Sequence, residues 1–211
     1  MRPYARSVFI NCPFDAKYRP LFEAVAFAIY DCGFYPRCAV EMADGTQVRI
    51  EKINEIIGGC RLAVHDISRT EVDRATGLPR FNMPLELGMF LGAKAFGGKP
   101  HARKAALILD VEPYRYQKYI SDIAGQDIRA HRRQPPEAIR HVRDFLYTYC
   151  APGELLPGGD YVVHRYDRFR TDRPAVAAAL HLRPEKLTFR DLGNLVVAWM
   201  RANPLSLPSL S

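Results

Sequence analysis

Short runs of almost purely apolar residues alternate along this chain with longer stretches in which apolar residues recur every three or four positions. Ser7-Val-Phe-Ile-Asn11 has the density and β-branching of a buried strand, and Cys12-Pro13-Phe14-Asp15 ends it as a turn. Leu21, Phe22, Val25, Ile29 and Tyr30 then keep helical spacing up to Gly33, a residue suited to the left-handed position after a helix. Residues 34–40 predict a second strand, 42–46 a loop, and Val48, Ile50, Ile53, Ile56 and Ile57 a second helix closed by Gly58-Gly59. Residues 61–65 predict a third strand, 83–96 a third helix and 104–110 a fourth strand. A short fifth strand over 126–130 and a helix from Pro135 to about residue 149 complete the series.

Strands and helices in strict alternation, joined mostly by short loops, predict an α/β fold. Its parallel sheet of about five strands is covered by helices on both faces. The strands are near-continuous apolar runs, as in Ala105-Ala-Leu-Ile-Leu109, which fits burial on both sides. The expected order is 2-1-3-4-5, with ligands beyond the carboxyl ends of the strands. Residues 66–82 are polar, turn-rich and longer than an ordinary strand-to-helix connection, and loops of that kind carry function disproportionately often.

The pattern changes near residue 151, where Pro152-Gly153 and Pro157-Gly158-Gly159 interrupt the chain. Residues 1–150 are therefore expected to form the α/β domain (a nucleotide-binding one by the resemblance described below), and 151–211 a helical extension entered through a basic-aromatic linker, His164-Arg-Tyr-Asp-Arg-Phe-Arg170. That run has the composition of single-strand nucleic-acid binders, and equally that of a solvated linker packing one or two aromatics. Thr188 reads as an N-cap with Asp191 three residues on, followed by a stripe of Leu192, Leu195, Val196 and Trp199. The extension either stands as a small helical module or packs back on the first domain.

Composition narrows the class. Of 211 residues, 48% are hydrophobic and 25% charged, enough to bury a core. No run of about 18 apolar residues predicts a membrane span, and the first residues lack the apolar core of a signal peptide, so a cytoplasmic protein without membrane partners is expected. The net charge of +7 favours anionic partners or simply keeps the protein soluble. Five cysteines without a C-x-x-C pair predict neither a disulfide framework nor a metal site; Cys12, at a strand end, is the one candidate reactive thiol.

The third predicted helix carries the most chemical information. It is apolar nearly all round (Leu85, Leu87, Met89, Phe90, Leu91, Ala93), which predicts burial on every side, yet Glu86 stands in its first turn. A buried carboxylate must reach solvent, find a partner or take up a proton. With Met83 as N-cap and Pro84 next, Glu86 would sit where a glutamate caps backbone N–H groups. Placed after a long loop at the sheet's carboxyl edge, it would instead face a ligand crevice. His65, ending a buried strand, reads as a hydrogen-bonded core histidine or an acid–base group.

Three segments together resemble a known group. Ser7-Val-Phe-Ile-Asn-Cys-Pro-Phe-Asp15, His65-Asp-Ile-Ser68 and Asn82-Met-Pro-Leu-Glu-Leu-Gly88 with Phe90-Leu-Gly92 look like the TIR-like nucleotide-binding families of bacteria, and more distantly like nucleoside 2-deoxyribosyltransferases. Ser121-Asp-Ile-Ala-Gly125 is similar to a late segment of some TIR-like domains, so the likeness spans about 130 residues. It implies a flavodoxin-like fold and cleavage of an N-glycosidic bond in NAD or a related nucleotide, in a defence or signalling effector that assembles as a homo-oligomer. In that reading Glu86 stabilises or attacks an oxocarbenium-like sugar. Asp66 is its candidate acid partner, with an ordinary turn or cap as the alternative. Asn82 would hold ribose hydroxyls or cap the helix, and Asn11, Asp15 and Ser68 would line the ligand or form turns. Asp44-Gly-Thr-Gln-Val-Arg49 takes the place of a flexible lid, and Arg49 with Lys52, or Arg69 with Arg80, would hold a diphosphate or remain solvated surface charges. The nucleotide is substrate or ligand, and no other cofactor is implied. A deoxyribosyltransferase-like enzyme, or a nucleotide-sensing interaction module without catalysis, are the alternative outcomes.

Overall fold

The computed structural model describes residues 3–41, 45–72 and 77–205. Five strands, β1 (Ser7–Asn11), β2 (Tyr35–Cys38), β3 (Leu62–Asp66), β4 (Ala105–Asp110) and β5 (Ile128–Ala130), form one parallel sheet in the order β2-β1-β3-β4-β5. The expected α/β fold and strand order are what the chain adopts. β1 and β3 are buried along their whole length, which is why their sequences carry no polar alternation. The strands are shorter than expected: Lys104 lies before β4, and β5 begins at Ile128.

The pleat divides the apolar residues between two layers. Val8, Ile10, Leu62, Val64, Leu107 and Leu109 point to one face, where they meet α1 (Arg19–Asp31) and α4 (Pro135–Tyr147). Phe9 and Ala63 point to the other, against α2 (Arg49–Gly58) and α3 (Asn82–Phe96). The connections after β1 and β3 therefore leave for opposite faces. The carboxyl ends of these adjacent strands mark the sheet's switch point, the usual location of a ligand crevice.

The C-terminal segment packs back. α5 (Gly159–Ala179) and α6 (Phe189–Ala202) join the same apolar layer as α1 and α4, with Val162, Tyr166, Phe169, Leu195 and Trp199 fully or almost fully buried. The run expected as a linker, residues 164–170, lies inside α5. Its Tyr166 and Phe169 pack on Phe27, at ring-centroid separations of 5.3 and 5.2 Å. Arg165 is buried against Asp31 of α1, with its Nε 3.0 Å from both carboxylate oxygens. The helix holds these groups in the core rather than presenting them to a nucleic acid. Thr188 and Asp191 form the expected capping box of α6. Among the described residues no helix is long and apolar enough to cross a membrane.

Candidate functional site

α3 starts at Asn82, one residue earlier than expected, and Phe81 is its N-cap. Asn82 is thus the first helical residue, exposed and without a capping bond, and neither it nor Met83 is the cap. Glu86 is the fifth residue of the helix, beyond the first turn, so it does not cap the backbone. The helix is also not buried all round. Met83, Glu86, Leu87 and Phe90 form a single buried stripe at i, i+3, i+4, i+7, while Leu85 is 56% and Phe96 90% exposed. Glu86 is the one charged group on the core-facing stripe.

Its surroundings leave it little water and few partners. Glu86 is 6% exposed and makes no hydrogen bond or ion pair among the described residues. Burial raises its carboxyl pKa from 4.5 to about 7, and the positive charge of Arg49, at the start of α2, works against that rise. Arg49 itself is exposed. Asp44 lies outside the described residues.

The floor of the switch point is tightly bonded. Asn11, ending β1, donates from Nδ2 to the Met83 carbonyl (2.8 Å) and meets His65 Nδ1 at 2.9 Å. One amide thus ties β1, β3 and the first turn of α3 together, and it orients the turn that carries Glu86. Because the Asn11 amide donates to Nδ1, the remaining His65 proton sits on Nε2, which has no conventional partner. His65 is held edge-on between the rings of Phe9 and Phe90, and burial pushes its pKa down to about 3. It is a neutral core histidine.

Asp66, the expected acid partner, is already saturated. It accepts from the Ser68 backbone N–H (2.8 Å) and the Tyr18 hydroxyl, and lies 3.0 Å from His131 Nε2. Burial would raise its pKa, but His131, Ser68 and Tyr18 outweigh burial and the net shift is downward. An ionised carboxylate with three partners does not donate a proton, so Asp66 acts as a clamp between β3, the entry to α1 and the end of β5. Ser68 belongs to that clamp. Tyr18 and His131 gave no local signal in the sequence, because their meeting with Asp66 exists only once the sheet is assembled.

Asp15 accepts from the Tyr18 backbone N–H (3.1 Å), so it does form a turn, and its other oxygen lies 3.2 Å from Arg69 and 3.3 Å from Arg80. The two long-loop arginines are thereby drawn together over the carboxyl edge of β1, while Arg49 stands beside Glu86 on the α2 side. Lys52 is largely buried within α2. Cys12 is buried, and burial together with Asp66 raises its thiol pKa well above the ordinary value, which opposes the reactive reading.

The concave surface is distributed unevenly around these groups. Cavities of about 830, 460, 300 and 150 Å³ lie along β2 and α6, between α1 and α6, beside Phe34, and between Tyr18 and His131 respectively. Glu86 lines none of these four. The ligand crevice that Glu86 was expected to face is therefore not among them. No protein-family model matches this sequence, and no curated protein or solved structure matches it either.

Proposed function

We propose that the protein cleaves the N-glycosidic bond of NAD or a related nucleotide, with Glu86 as the carboxylate that meets the developing positive charge at the sugar C1′. The observation that carries this reading is the state of Glu86. It is nine-tenths buried, has no hydrogen bond among the described residues, and stands on the helix that follows β3 at the sheet's switch point. A partnerless buried carboxyl is costly to keep for stability alone, and it gains most from a cation that arrives with a substrate.

In the reaction the C1′–N bond breaks and its electron pair stays on the pyridine nitrogen, so nicotinamide leaves neutral. Water adds to C1′ and gives up a proton. Glu86 would stabilise the oxocarbenium-like state or form a transient ester at C1′. The absence of a free acid at Asp66 favours a leaving group that needs no protonation over the ordinary nucleobase of a deoxyribosyltransferase substrate. A carboxyl with a pKa of about 7 is about half ionised at neutral pH, so turnover should rise as pH passes through 7.

Incubation of the full chain with NAD, following nicotinamide release, tests this directly. Release by the wild type that falls at least ~100-fold in Glu86→Gln is expected. Equal release by both proteins would refute the assignment. Base exchange on a deoxynucleoside, or thermal stabilisation by NAD with no release, would replace it with the transferase or sensing reading.

A further inference from the structure

The 150 Å³ cavity at the carboxyl edge is walled by Lys17 and Tyr18 before α1, Ser68 and Arg69 after β3, and His131 and Arg133 after β5. Every charged side chain that lines it is cationic. The carboxylates lie around it: Asp66 behind Tyr18 and His131, Asp15 against Arg69, and Glu71 against Arg133 at 2.7 Å. Lys17 is exposed and has no acidic partner among the described residues.

Two helices of 13 residues each, α1 and α4, begin at this cavity, and neither has a side-chain cap. Their dipoles add positive potential there. Pro20, Pro135 and Pro136 remove N–H groups from those first turns, so an anion would be held by side chains rather than by free helix amides.

The wall is also held in an uncommon backbone shape. Arg132 and Arg133 both have positive φ, 51° and 60°, which side-chain-bearing residues adopt only when the surroundings enforce it. The enforcement is visible: the Arg133 N–H donates to Nδ1 of His131 (2.9 Å), and Nε2 of the same ring lies 3.0 Å from Asp66. The buried Asp66–Tyr18–His131 clamp thus fixes the turn that brings Arg133 to the cavity.

Size and charge narrow the ligand. The space has room for a phosphate group with several waters, and its cationic lining favours an anion. We infer that this cavity binds a phosphoryl group, either free phosphate or the terminal phosphate of a nucleotide, through Lys17, Arg69 and Arg133. The inference stands apart from the role proposed for Glu86.

Calorimetric titration of the full chain with inorganic phosphate, pyrophosphate, AMP and adenosine tests it. One saturable site for the phosphate-bearing compounds is expected, with no binding by adenosine. Lys17→Ala and Arg133→Gln should each weaken it about tenfold, whereas Glu86→Gln should leave it unchanged. Lys17 is exposed, so its variant reads the site even if Arg133→Gln folds poorly. Phosphate binding without AMP binding would assign the site to the free ion, and AMP binding more tightly than phosphate to the nucleotide. No saturation up to about 10 mM, equal binding by Lys17→Ala, or loss of binding in Glu86→Gln would overturn the inference.

Discussion

A largely buried carboxyl group without a hydrogen bond is poorly compensated for the hydration it loses, and Glu86 is in that position. The consequence for stability has a definite sign. Its pKa is raised from 4.5 to about 7 in the folded chain, so between those values the native state binds more protons than the unfolded one. Stability from this group is full below pH 4.5 and is lost as pH rises through 7. Glu86→Gln removes the titration while keeping the shape. Denaturant melts should therefore show the variant gaining on the wild type by about 1–3 kcal/mol between pH 4 and pH 8. An unchanged difference across that range would mean that the carboxyl is solvated. Asp66 illustrates the opposite case, a buried carboxylate whose Tyr18, Ser68 and His131 contacts more than offset burial. Sequence offers a carboxylic acid at both places, and only the assembled surroundings separate them.

Elements were legible to different degrees for physical reasons. β1, β3 and β4 announced themselves because strands buried on both faces are written as unbroken apolar runs. α3 misled in one respect, since an all-apolar helix was expected to be enclosed, yet Leu85 and Phe96 face outward. α5 was hidden by its charge. Its buried residues Val162, Tyr166 and Phe169 keep helical spacing, but they are interleaved with arginines that read as a solvated linker. Arg165, the least conspicuous of these, is the one that fixes α5 to α1 through Asp31, and it also donates to the Asn203 carbonyl (2.9 Å) beyond α6. Arg165→Ala would leave Asp31 buried without its cation and should cost about 3–5 kcal/mol, measured by urea unfolding at neutral pH. A cost under about 1 kcal/mol would show that the pair is a replaceable surface contact.

At the scale of the whole molecule, the division at residue 151 marks a change in composition more than a break in packing. The layer formed by α1 and α4 continues without interruption into α5 and α6, and Trp199 lies against Phe27 and Phe169 with its Nε1 donating to Asp172 (2.8 Å). The strand order, and with it the switch point, followed from alternation and strand character alone. The clamp that joins Tyr18, Asp66 and His131 did not, because it assembles residues from three distant segments that meet only at the sheet's carboxyl edge. What this architecture provides is a rigid floor, fixed by Asn11, beneath a helix whose one inward-facing charge is unpaired. The most direct test of that claim is an NMR titration of the Glu86 side-chain carboxyl, with and without NAD. A midpoint near 7 in the free protein that moves down when NAD binds, with its cationic nicotinamide ring beside the carboxyl, is the expected result. A midpoint near 4.5 that ignores NAD would contradict it.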